Sequence, residues 1–172
     1  MRKLYSYFYK SSVLKLVLIG MFLPRILFLC LNVVFELFNL SREVPVYTKS
    51  LLWFIMVPLI LAPLVETLIF QYLPLRVCQK WFRRYRYSVC TTIIFSSIVF
   101  CLMHAPLIIH MCNALLSGII WCFLCFVLMR KKRQPVLYTT IMHAGANAIA
   151  IIIAIAVALL NGAAIVNAGA GL

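Results

Sequence analysis

The run Cys112-Asn-Ala-Leu-Leu-Ser-Gly-Ile-Ile-Trp-Cys-Phe-Leu-Cys-Phe-Val-Leu-Met129, closed by Arg130-Lys131-Lys132-Arg133, decides the class of this chain. As a helix it is about 27 Å long at 1.5 Å per residue, close to the thickness of a hydrocarbon core. A helix of that length on a soluble protein carries a polar stripe; this run offers only Asn113 and Ser117. Four consecutive cations then stop it, as they stop a span at a membrane surface.

Working outward, the runs 14–39, 50–75, 88–109 and 135–160 are each apolar and long enough to cross a bilayer, and 112–129 is the shortest of the five. The whole chain of 172 residues is 66% hydrophobic and 11% charged, with a mean hydropathy of +1.09. A soluble domain has about 25% charged residues, and no soluble domain of this size has interior enough to hide so much apolar surface. The expected fold is therefore all-α: a polytopic membrane bundle of about five transmembrane helices, one domain over 1–172. The small, Gly-rich tail 161–172 is expected to fray. No cleavable signal is expected, since the first run is long, carries Arg25 and lacks a small-residue cleavage site.

The net charge of +13 does not point to nucleic acid. The cations fall between apolar runs, and Trp81-Phe82-Arg83-Arg84-Tyr85-Arg86-Tyr87 reads as an aromatic belt beside a basic loop. Membrane lipids are the partner this pattern implies. Arg2, Lys3, Lys10, the basic residues of 76–87 and those of 130–133 fall on one side of the bilayer; only Arg42 and Lys49 fall on the other. Positive-inside reasoning puts the N-terminus in the cytoplasm and the C-terminus outside, in a bacterial inner membrane. The seven cysteines show no disulfide framework, and Cys122 and Cys125 sit mid-run with no redox context. No internal repeat supports a transporter built from two halves.

Polar side chains inside spans are costly, so each is a functional candidate. They are Arg25, Glu36, Glu66, Gln71, His104, His143 and Asn147. Glu36 lies near the end of its span and can reach water. Glu66 lies deep, where a carboxylate must be paired, protonated or beside a wet cavity. His143 and Asn147, four apart, share a helix face, as do Phe100 and His104; Pro106 closes the latter helix. Alone, each is explained by interhelical hydrogen bonding. Together, a carboxylate, two imidazoles and a carboxamide on three spans are the parts needed to activate water and stabilise an oxyanion. Arg25 either snorkels to the inner surface or turns into the bundle to meet this polar cluster.

Glu66 in Pro63-Leu-Val-Glu-Thr-Leu-Ile-Phe70, Phe100 with His104, and His143 with Asn147 resemble, in order, three motifs of the CAAX-protease and bacteriocin-processing (CPBP, or Abi) family: EExxxR, FxxxH and HxxxN/D. The resemblance covers about residues 60–150. It implies a multi-pass intramembrane endopeptidase, akin to those that remove the last three residues of prenylated proteins, or a bacteriocin-immunity relative. On that resemblance Glu66 is the general base, His104 its partner on the attacking water, and His143 with Asn147 the oxyanion site. The second Glu of the first motif is Thr67 here and its Arg is Gln71, leaving Thr67, Gln71 and Arg25 as supporting residues. Thr67 is expected to bond back to its own helix; Arg25, in the alternative to snorkelling, would supply the cation that Gln71 lacks.

No cofactor is expected. Zinc is the alternative, held by Glu66, His104 and His143, although Asn147 is a poor zinc ligand. The implied substrate is a peptide or lipidated protein. An inactive scaffold or immunity protein on the same fold is the alternative function, and a small channel or transporter a third. Convergence of Glu66, His104, His143 and Asn147 on one place separates the first from the others.

Overall fold

Apolar side chains turned outward and polar ones turned in organise the computed structural model, which describes residues 2–38, 56–81 and 88–169. Leu14, Leu18, Phe22, Leu29, Val33, Phe95, Ile152 and Leu159 all face outward, while Arg25, Thr67, Gln71, Ser96, Ser97, Ser117, Thr139 and His143 are buried. A surface of that kind matches lipid, and helices in lipid associate through small and polar residues.

The described residues form α1 (Arg2–Lys10), α2 (Val13–Leu37), α3 (Val57–Trp81), α4 (Ser88–Leu102), α5 (Ile108–Arg130) and α6 (Pro135–Gly169), with no strand among them. Four of these meet the length and hydropathy of a membrane span: α2, α3, α5 and α6. The fifth, α4, has 15 residues, about 22 Å at 1.5 Å per residue. The apolar run 88–109 is thus not one continuous helix. Pro106 has no N–H to donate and drives the residue before it out of helical geometry. The chain leaves α4 through a turn at 103–106, and α5 begins at Ile108. The second span extends past residue 75: α3 runs on through Arg76 and Lys80, whose long stems keep the charge in water while the helix continues. Residues 51–55 and the basic stretch 82–87 lie outside the described residues.

Ser12 caps α2 by accepting from the Lys15 N–H at 3.2 Å. Helix α1 was not foreseen. Its aromatic face packs on α5, with the Tyr5 and Phe126 ring centroids 5.9 Å apart and those of Phe8 and Phe123 5.4 Å apart. Lys131 donates to the carbonyls of Tyr9 (2.5 Å) and Ser11 (3.0 Å), tying the end of α1 to the basic turn after α5. Both therefore share one face of the bundle. Helix α6 continues to Gly169; the alanines at 163, 164 and 168 are the best helix formers available.

Helix α5 is the central element, far more buried than α2, α3 or α6. Its residues Trp121, Leu124, Val127 and Leu128 pack with Leu16, Val17, Phe100, Met142 and Ala146 as the main core. Helices α2 and α6 interlock through two small-residue contacts. A Cβ on Gly20 would lie 2.6 Å from Met142 Cγ, and one on Gly145 would strike the Met21 side chain. The pairings 20 with 142 and 21 with 145 increase together, so α2 and α6 run parallel. The next pair in that register is Arg25 with Asn147.

Candidate active site

Helix α3 carries prolines at 58, 63 and 74, and the helix pays for them with two π-helical turns, Val57–Leu61 and Thr67–Tyr72. The Ala62 N–H bonds to the Val57 carbonyl, five residues back, and Pro63 has no N–H. The Pro58 carbonyl thus has no donor from its own helix. Lower down, a proline again removes a donor. Leu73 N–H bonds to Leu68, and Pro74 cannot donate to the Phe70 carbonyl four residues before it. Neighbouring helices meet both needs: Asn147 Nδ2 donates to the Pro58 carbonyl at 2.8 Å, and the Ser96 hydroxyl donates to the Phe70 carbonyl. Such π turns recur at functional sites, and Glu66 lies in the α-helical segment Ala62–Glu66 between these two.

The Glu66 carboxylate Oε2 lies 3.4 Å from His143 Nε2, with the Glu66 side chain 24% exposed and that of His143 4%. That is ion-pair distance, longer than a well-formed hydrogen bond. His143 is held by rings on two other helices. It stacks on Trp121 with centroids 4.0 Å apart and meets Phe100 edge-on at 6.0 Å. Trp121 is fixed in turn by donating its indole N–H to the Gly20 carbonyl at 2.8 Å. Phe100 also touches His104, with centroids 4.6 Å apart, so one ring borders both imidazoles. His104 Nδ1 lies 2.9 Å from the Phe100 carbonyl. A carbonyl only accepts, so Nδ1 carries the proton, and Nε2 of the neutral ring keeps its acceptor lone pair.

Arg25 does not snorkel. It is 8% exposed, and its Nη2 donates to Asn147 Oδ1 at 3.2 Å. It therefore reaches the polar cluster at Asn147, while the side chain beside the Glu66 carboxylate is His143. Asn147 thus bridges three helices: α2 through Arg25, α3 through Pro58, and its own α6.

Thr67 and Gln71 are fully buried one turn apart on the inward face of α3. The expected back-bond of Thr67 does not form: among the described residues its hydroxyl has no partner, nor do the amide atoms of Gln71. The Thr67 N–H already takes up the carbonyls of Pro63 and Leu64, and the hydroxyl points into the bundle. Glu36 is exposed near the end of α2. Two supporting residues were missed by sequence reasoning, Trp121 and Ser96. A tryptophan deep in an apolar run was the available signal, because its N–H needs a buried acceptor.

A zinc ion would take Glu66, His104 and His143. Among the described residues no three His, Cys, Asp or Glu side chains come close enough to hold a metal ion, so this donor set does not fit one and no step is derived through it. All seven cysteines are free thiols.

Residues 48–149 match the family model for type II CAAX prenyl endopeptidase Rce1-like proteins. No curated protein and no solved structure matches the chain. The matched segment takes in Glu66, His104, His143 and Asn147, and excludes Arg25 and the whole of α2. With more than half of its length matched and a bundle of membrane-spanning helices, this chain belongs to the Rce1-like, type II CAAX prenyl endopeptidase family of membrane proteases.

Proposed function

We propose that this protein is an intramembrane endopeptidase that hydrolyses a peptide bond near the C-terminus of a prenylated protein, close to the cytoplasmic face. The observation that carries the reading is the 3.4 Å approach of Glu66 on α3 to His143 on α6, inside the segment that matches the family. A carboxylate and an imidazole at that depth, held by π turns and a Trp stack, are an expense that a scaffold does not require.

In this reading a water molecule sits against Glu66 and the free Nε2 of His104. Glu66 takes one proton as the oxygen attacks the scissile carbonyl carbon. The oxyanion that forms is met by N–H donors of His143 and Asn147. The C–N bond then breaks as the proton held by Glu66 passes to the departing amine, leaving a carboxylate on the substrate and a free peptide. The apolar outer walls accommodate a lipid-bearing substrate from within the bilayer. The cation distribution supports an N-terminus in the cytoplasm and a C-terminus outside, in a bacterial inner membrane.

The test is mass spectrometry of a farnesylated C-terminal peptide incubated with the protein in liposomes. Release of the last three residues, with the unprenylated peptide left largely intact, is the expected result. Failure to cleave either peptide would contradict the proposal.

A further inference from the structure

A guanidinium buried in a membrane bundle is costly without an anion beside it. Among the described residues no carboxylate lies within ion-pair distance of Arg25, and its one polar contact is the neutral amide of Asn147. Gly20 against Met142 and Met21 against Gly145 set the register that brings the two residues together.

The amide has only one orientation that serves both neighbours. A guanidinium has no acceptor and a carbonyl has no donor, so Oδ1 must face Arg25 and the NH2 group must face Pro58. One amide hydrogen is used on Pro58, and among the described residues the second has no partner. Hydrogen bonding of Oδ1 to a cation draws electron density from the NH2 group and strengthens it as a donor. Reversing the amide would set Oδ1 against the Pro58 carbonyl and leave no donor for a developing oxyanion.

We infer that Arg25, on a helix outside the family-matched segment, is a positioning residue that fixes and polarises the Asn147 amide for oxyanion stabilisation. The inference rests on the protease reading given above. Helix α2 is on this account part of the active site and not only an anchor.

A double-mutant cycle in the liposome cleavage assay tests it, with Glu66→Gln as the reference for the protease reading itself. Arg25→Met should lower kcat about 100-fold, the scale of a lost oxyanion donor, with KM changed by less than about twofold because ground-state binding is untouched. Arg25→Gln keeps a neutral donor and should recover part of that loss. In an Asn147→Ala background Arg25→Met should cost little more, since the two act as one unit. Unfolding temperatures in detergent check that the variants fold; if the Met variant does not, the Gln variant carries the same cycle. A wild-type kcat in Arg25→Met, or an equal fractional loss with and without Asn147, would overturn the inference while an inactive Glu66→Gln left the protease reading standing. Undiminished cleavage by Glu66→Gln would overturn both.

Discussion

Asn147 on α6 hydrogen-bonds the carbonyl of Pro58 on α3 at 2.8 Å, a carbonyl that α3 cannot satisfy because Ala62 bonds to Val57 and Pro63 has no N–H. An apparent defect in one helix is thereby the anchor for a side chain of another. The same amide receives Arg25 from α2, so the backbone irregularity of α3 fixes the depth at which three helices meet beside Glu66 and His143.

Pro63→Ala tests that relationship. Returning an N–H at 63 gives α3 its own donor, and removing an interior proline favours the helix by up to about 3 kcal/mol. The variant should therefore melt at or above the wild-type temperature in detergent. With its anchor competed away, Asn147 should lose its fixed placement, and kcat should fall on the order of 10–100-fold. A variant that is both as stable and as active as wild type would show that the Pro58 contact does not position Asn147.

Ser96 and Ser97 are neighbours with different acceptors. Ser96 donates across helices to the Phe70 carbonyl left by Pro74, whereas Ser97 donates to Ile93, four residues back in its own helix, at 2.7 Å. Ser96→Ala should destabilise the bundle by about 1 kcal/mol or more, the cost of a lost hydrogen bond between helices. Ser97→Ala should stay within about 0.5 kcal/mol, because the Ile93 carbonyl belongs to a regular helical turn. Thermal unfolding of both in the same micelle measures the contrast, and equal losses would refute it.

Much of this arrangement was legible in the sequence. Run 14–39 became Val13–Leu37, the basic cluster 130–133 marked the turn before α6, and the polar residues Glu66, His143 and Asn147 signalled themselves by their cost in lipid. What was not legible came from backbone hydrogen bonding that composition does not reveal. The three prolines in α3 are a signal of irregularity that the sequence reading did not use, and the choice of π turns depends on which neighbour supplies a donor, while Ser96 and Asn147 are distant in sequence. Pro106 was expected to close its helix just after His104, but α4 already ends at Leu102 and His104 lies in the turn 103–106 instead of on the helix face of Phe100. The side chain of Arg25 had two destinations open to it, and only the register set by Gly20 and Gly145 decides between them.

That register is itself testable. Gly20→Ala sets a methyl 2.6 Å from Met142 Cγ, on a side chain that is fully buried. The expected loss is about 1–3 kcal/mol from overpacking, together with reduced kcat as Arg25 is drawn away from Asn147. Pairing it with Met142→Ala, which makes room, should restore part of both. No recovery in the double variant would mean that the Gly20–Met142 contact does not set the α2–α6 register.

The central claim is that the Glu66 carboxylate activates the water that cleaves the substrate. Its most direct test is the initial rate of tripeptide release from a prenylated peptide in liposomes, wild type against Glu66→Gln. The glutamine keeps the shape and removes the base, so the rate should fall by at least about 100-fold, within the range of general base catalysis, with no loss of thermal stability. Cleavage by Glu66→Gln at the wild-type rate would contradict the account.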